Sequence, residues 1–231
     1  MAKYRVTVDT GGTFSDFVFF NEETGEISIT KLPSTPREPF QAVLNGVKEL
    51  LEGGVAAGDV SFFCHGTTVG TNALLEEKGA KTGLLVTQGF RGIYEVMEQT
   101  RGYGPATYDL FFEKPRLLAP PFYTEEVPER VDFRGNALKP IDVEAARQAI
   151  RRLKKKGTQS VAVCFLFSFL NPDHELKIKK LFAEEFPQAQ LSLSYEVLPQ
   201  IREFYRMSTT IINAFRGMAM TGSGGIAHRN A

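Results

Sequence analysis

Five consecutive residues near the start of the chain, Asp9-Thr10-Gly11-Gly12-Thr13, interrupt an apolar run that resumes at Phe14. Their types suit a phosphate. In a tight turn between strands, two glycines let main-chain N–H groups face an anion, while the threonine hydroxyls offer further donors. Asp9 is a poor phosphate contact but a good holder of Mg2+, a hard octahedral cation that keeps part of its water shell. The loop thus pairs a candidate metal ligand, Asp9, with a candidate anion cradle, Thr10, Gly11, Gly12 and Thr13. An ordinary hairpin turn also favours Asp and Gly. Placement after the first of three strands that lead into a helix favours the phosphate reading.

A second polar cluster, His65-Gly66-Thr67-Thr68, follows an apolar segment and opens a helical stretch whose Ala73, Leu74 and Leu75 are expected to pack inward. A donor-rich helix N-terminus suits an anion or a carbonyl oxygen. Helix capping accounts equally well for at least one of Thr68, Thr71 and Asn72, and a lone His65 is compatible with a structural role.

These residues need elements to hold them. Tyr4 to Val8, Phe14 to Phe20 and Ile27 to Leu32 read as a three-strand meander around an Asn-Glu-Glu-Thr-Gly turn. Phe40, Val43, Leu44, Val47, Leu50 and Leu51 then recur at helical spacing, with Pro39 at the start and Gly53 past the end. A strand over Val60 to Cys64, a helix after His65 and a strand over Thr82 to Thr87 complete a β-β-β-α-β-α-β order, in which the later strands are expected to pair in parallel.

From Gly89 to Pro140 the pattern fades into a segment rich in proline and aromatic residues, with one hairpin expected over Glu125 to Asp132 and Arg134-Gly135-Asn136. Tyr103, Tyr108, Phe111, Phe112 and Leu117 are more large apolar side chains than a free loop carries, so this segment is expected to form an interface or to pack on its own domain. Regularity returns with a helix over Val143 to Lys155, a strand over Val161 to Phe167, a helix over His174 to Phe186, a strand over Leu191 to Glu196 and a helix over Arg202 to Phe215. The expected organisation is an α/β unit over 1–88, an irregular segment over 89–140, a second α/β unit over 141–215 and a disordered tail over 216–231.

With 27 basic and 27 acidic residues the chain has no net charge, which argues against nucleic acid or an anionic membrane as the main partner. The longest apolar run, Val161 to Leu170 broken by Ser168, is far short of the roughly 20 residues that span a bilayer, and the first residues lack the apolar segment of a secretory signal. A cytoplasmic location is expected. Cys64 and Cys164 lie in apolar stretches, as buried reduced thiols do, and the three histidines show no metal-binding spacing.

Taken in order, Asp9 to Asp16, His65 to Thr68 with Thr71 to Glu76, Gly89-Phe90-Arg91, Tyr108-Asp109-Leu110, Pro128 to Val131, Asn171 to Glu175, Ser192 to Pro199 and Arg202 through Ala214 resemble the N-terminal part of the hydantoinase A/5-oxoprolinase family. The resemblance implies a ribonuclease H-like, actin-like ATPase fold. It implies use of ATP and Mg2+ to activate an amide, lactam or ketone oxygen, followed by ring opening of a hydantoin or 5-oxoproline, or by carboxylation of a ketone, together with a B-type subunit. On this chain it implies Asp9 as Mg2+ holder, Thr10 to Thr13 on the β- and γ-phosphates, and His65, Thr67 and Thr68 near the reacting oxygen. Family subunits are longer, and their second phosphate loop and adenine pocket lie downstream, so half a nucleotide cleft is expected here. A non-catalytic interaction domain is the alternative.

Overall fold

The computed structural model describes residues 3–34, 39–52, 55–97, 108–111 and 113–221. They fall into two units, Met1–Lys78 with Ala219–Ala231 and Gly79–Met218. In the first, β1 (Tyr4–Thr10), β2 (Phe14–Asn21) and β3 (Ile27–Pro33) form the expected antiparallel meander, and β4 (Val60–Thr67) adds to β1 in parallel, giving the order β3-β2-β1-β4.

Period-2 alternation sorts this sheet into two unlike faces. Val6, Val8, Thr10, Ser15, Phe17 and Phe19 are buried on one, where Val43 of helix α1 (Pro39–Glu52) joins their cluster. Arg5, Thr7 and Asp9 are exposed on the other. Leu44, expected on the apolar side of the helix, is 45% exposed, and Phe40, Leu50 and Leu51 lie outside the described side chains. Cys64 is exposed rather than buried, because β4 is the sheet edge and residues 61–68 are open to solvent.

The second unit is a four-stranded sheet of β5 (Thr82–Thr87), β6 (Thr124–Val127), β9 (Ser160–Cys164) and β10 (Gln190–Leu193), in the order β10-β9-β5-β6 with every pair parallel. Both faces are covered. Leu85, Val161 and Val163 join a cluster with helices α4 (Val143–Lys155) and α5 (Asp173–Glu185), while Leu84, Val86, Ala162 and Cys164 join one with helix α7 (Glu203–Thr221). Burial on both sides explains strands that read as continuous apolar runs.

Several expectations are corrected here. The strand Thr82–Thr87, expected as the last of the first unit, belongs to the second sheet: all six of its residues are buried, and that sheet is covered on both faces. The β-β-β-α-β-α-β order of elements is present, but its last strand pairs elsewhere. The hairpin lies slightly downstream of its expected place, between β7 (Arg130–Val131) and β8 (Ala137–Lys139), with Asp132 Oδ1 accepting from the amides of Arg134 and Asn136 and Gly135 at φ +84°. Glu125 instead lies on β6, in parallel with β5. The strand over 191–196 gives way at Ser194 to the short helix α6 (Ser194–Val197). Helix α7 continues to Thr221, so residues 216–221 are helical rather than disordered, and 222–231 lie outside the described residues.

In the irregular segment, beyond the one-turn helix α3 (Ile93–Val96), Leu117, Leu118 and Ala119 pack into the second unit's own core. Tyr108, Leu110 and Phe111 stand 86–92% exposed, and Tyr103 and Phe112 lie outside the described residues. The segment is therefore partly self-packed. Among the described residues no helix is long and apolar enough to cross a membrane.

Two tests follow from this packing. Gly46 lies in α1 where an added Cβ would sit 2.1 Å from Cζ of the fully buried Phe17. Gly46→Ala gains about 1 kcal/mol of helix propensity but incurs overpacking of about 1–3 kcal/mol. A net loss of stability is expected in urea denaturation, and an unchanged or raised midpoint would contradict the close helix–sheet contact.

Glu185 joins α5 to α4 through Arg151, with Nε 2.7 Å from Oε2, and through Arg147. These hydrogen bonds and charges hold its carboxyl down from 4.5 to about 2. Because the folded value is depressed, the stabilisation is present above about pH 4.5 and is lost as pH falls towards 2. Glu185→Gln should therefore lower Tm at pH 7 and flatten its fall between pH 5 and 3. Parallel Tm curves for the two proteins would rule this out.

Candidate functional site

Parallel pairing of β1 with β4 brings the two polar motifs to one end of the first sheet. The register sets Asp9 beside Gly66 and Thr10 beside Thr67, and the amide of Thr68 donates to the carbonyl of Thr10 at 3.0 Å. Residues 55 apart in sequence then touch directly: Thr10 Oγ1 and His65 Nε2 are 3.0 Å apart. Thr10 is fully buried, so its hydroxyl is committed to His65 and does not face outward from the loop as expected from the sequence.

The loop itself closes as a hairpin, with the Gly11 amide donating to Phe14 O at 2.9 Å and the Thr13 carbonyl accepting from Ser34 N at 2.8 Å. Neither glycine has a positive φ. Their requirement is one of close approach: a Cβ on Gly11 would meet Phe14 O at 2.9 Å, and one on Gly12 would meet Asn72 Nδ2 at 3.1 Å. Gly12 and Thr13 are exposed, and among the described residues their amides have no acceptor. A turn presenting two free N–H groups is a concavity for an anion.

Asp9 lies on the uncovered face, exposed, with no hydrogen bond or ion pair among the described residues. Asp16, opposite it across β1 and β2, is neutralised by Lys31 at 3.2 Å. Gly66 presents no side chain on the other flank, where a Cβ would stand 3.6 Å from Asp9 Oδ1. The Asp9 carboxylate is therefore open to a ligand. Among the described residues no group of three or more His, Cys, Asp or Glu could hold a metal ion.

Helix α2 (Val69–Leu75) is shorter than its sequence pattern suggests. Ala73 is buried as expected, but Leu75 is 76% exposed. With seven residues the helix adds little dipole, and the polar side chains carry the character of this end. Thr68 stands at the N-cap position without bonding a helix amide; instead its hydroxyl lies 3.3 Å from Asn72 Nδ2, a donor. The same Asn72 side chain lies close against Gly12, a proximity that sequence spacing alone could not show.

A second polar cluster was legible only as motif residues without a role. At the carboxyl ends of the second unit's strands, Glu129 is buried between the Thr87 hydroxyl, which donates to it, and His174 Nδ1 at 2.6 Å. Glu175 accepts from the Phe165 amide at 3.0 Å, Ser194 Oγ at 2.6 Å and the Tyr195 amide at 3.2 Å. Burial raises its carboxyl above the ordinary range, against these hydrogen bonds. The fully buried Arg206 donates to the carbonyls of Phe165 and Gln200. These hydrogen bonds join strands to α5 and α7, with Nε of Arg206 buried and without a partner among the described residues.

Comparisons with known proteins agree with the shared architecture. The chain is 32% identical to the caprolactamase subunit alpha of Pseudomonas jessenii, covering 94% of this chain and 32% of that one. The crystal structure of the ATP-dependent caprolactamase superposes with a TM-score of 0.79. The acetophenone carboxylase gamma subunit of Aromatoleum aromaticum is 30% identical, over 93% of this chain and 31% of that one. A nucleotide-free acetone carboxylase shares the fold at a TM-score of 0.85 and 22% identity, covering 96% of this chain and 33% of that one. The chain thus spans about a third of the length of these relatives. Residues 5–186 match the family described as the hydantoinase/oxoprolinase N-terminal region, and the chain belongs to that family.

Proposed function

We propose that the Asp9–Thr13 loop and the His65–Thr68 segment form one wall of a Mg-ATP site in an enzyme that activates an amide or lactam oxygen for ring opening. The observation that carries this is the union of the two motifs at one sheet end, where the amides of Gly12 and Thr13, without acceptors among the described residues, and the open carboxylate of Asp9 stand together. The loop receives the β- and γ-phosphates on its main chain, with the Thr13 hydroxyl as a further donor. Asp9 holds Mg2+, which supplies charge neutralisation at the transferring phosphoryl group. His65, with Thr67 and Thr68, faces the reacting oxygen. Ring opening of a cyclic amide is favoured over ketone carboxylation by the likeness to an ATP-dependent caprolactamase. The acetophenone carboxylase relative supports the second reading, because activation of a ketone oxygen places the same demands on this loop. Both of those relatives are named as subunits, which supports a partner subunit, of B type, for this chain. The cytoplasm is the proposed location.

The chain spans about a third of the length of these relatives, so millimolar nucleotide is the suitable probe for the part of the site proposed here. In 15N-labelled protein, millimolar Mg-AMPPNP should shift the amides of residues 9–13 and 65–68, and Asp9→Asn should remove the shifts. Shifts elsewhere only, or none at these residues, would overturn the site. In a full-length family member carrying this region, Asp9→Ala should cost on the order of 100-fold or more in ATP turnover. Undiminished turnover would end the assignment.

Gly12→Ala probes the cradle. Its Cβ pushes on Asn72, so apparent affinity in the same titration should fall by about 3–10-fold, the scale of one displaced hydrogen bond. Unchanged affinity would show that the loop needs no such close approach.

A further inference from the structure

The pairing of Thr10 with His65 carries an inference that deepens the reading above and rests on it. A threonine hydroxyl both donates and accepts, and a neutral imidazole has one nitrogen of each kind. Thr10 is fully buried, and among the described residues its Oγ1 meets a single hydrogen-bond partner, Nε2 of His65 at 3.0 Å. If Nε2 carried the ring proton, it would donate to Oγ1 and the hydroxyl hydrogen would be buried with no acceptor. If Nε2 carries the lone pair, the hydroxyl donates to it and nothing is left unsatisfied. Leaving a buried donor unpaired disfavours the first arrangement by roughly tenfold or more.

We propose that Thr10 is a positioning residue: its hydroxyl donates to His65 Nε2 and thereby fixes the ring proton on Nδ1, which becomes a hydrogen-bond donor to the oxygen of an amide, lactam or ketone ligand. Nδ1 has no partner among the described residues, and His65 is exposed on the edge strand. A neutral imidazole that donates to a carbonyl oxygen stabilises negative charge as it develops there. The main chain of Thr10 adds to the geometry, since its carbonyl holds the Thr68 amide at 3.0 Å and so fixes the segment that carries His65. Thr10 thus serves the oxygen-binding end through its side chain, while Gly11, Gly12 and Thr13 serve the phosphate end.

The experiment is long-range 1H–15N correlation NMR on the full chain labelled at histidine, at pH 8.5 and without ligand. The chain has three histidines, His65, His174 and His228, and His65→Gln identifies the signal. Wild-type His65 should show the Nδ1–H pattern. Thr10→Val, which keeps the shape and removes the hydroxyl, should shift His65 towards Nε2–H, and Thr10→Ser should restore Nδ1–H. A wild-type ring protonated on Nε2, or a pattern unchanged by Thr10→Val, overturns the proposal. Should the valine variant fail to fold, the wild-type spectrum still decides. No nucleotide is present, so failure here leaves the phosphate cradle standing, and failure of nucleotide binding leaves this result standing.

Discussion

Everything at the candidate site depends on one pairing, that of the edge strand β4 with β1 in parallel. Each motif by itself is a short polar segment. The ladder that sets Asp9 beside Gly66 and Thr10 beside Thr67 makes them one surface, and the Thr68 amide on the Thr10 carbonyl extends it past the strands. A slip of one residue would invert the alternation, turning Thr10 outward and Asp9 into the apolar face. The buried set of Val6, Val8 and Thr10 against Phe17 and Phe19 therefore sets the register on which the chemistry rests.

The two units manage their sheets differently. The parallel sheet of the second unit is covered on both faces and carries buried polar groups in hydrogen-bonded clusters, Glu129 with His174, Glu175 with Ser194, and Arg206 on main-chain carbonyls. Most donors and acceptors there are paired, since a buried polar group left unpaired is costly, and among the described residues Nε of Arg206 is the exception in this cluster. The first unit leaves one sheet face and the β4 edge open, with Phe62 and Phe63 about half exposed and Arg5 stacked over Phe62 at 4.8 Å. Among the described residues the polar groups there stay open, with Asp9 unpaired, two amides without acceptors, and His65 at the rim.

The glycines illustrate how a correct expectation can rest on a different cause. Gly11 and Gly12 were expected for their backbone freedom, yet neither uses a left-handed conformation. Both are needed because another group comes too near for a Cβ, a carbonyl in one case and a side-chain amide in the other. The distinction has a practical meaning. A conformational requirement would belong to the loop alone, whereas a steric one makes the loop answer to α2 through Asn72.

Local pattern was enough to read the meander, the helices at Val143 and after Asn171, the two polar motifs and the family to which they point, because alternation, helical spacing and turn chemistry are properties of neighbouring residues. Element ends were less legible, as with the strand that yields to a helix at Ser194, whose hydroxyl is drawn to Glu175 from another element. Long-range choices were not legible at all. Thr82–Thr87 reads as a buried strand wherever it pairs, and only the sheet covered on both faces decides which unit receives it. Cys64 sits in an apolar stretch that reads as buried, yet an edge strand has no neighbour to bury it. Thr10 is the sharpest case. Its type and place in the loop suggested a phosphate contact, but strand alternation turned its side chain inward, and a residue 55 positions away supplied the partner. Residue type set what the hydroxyl can do; the distance to His65, a property of the folded chain alone, decided what it does.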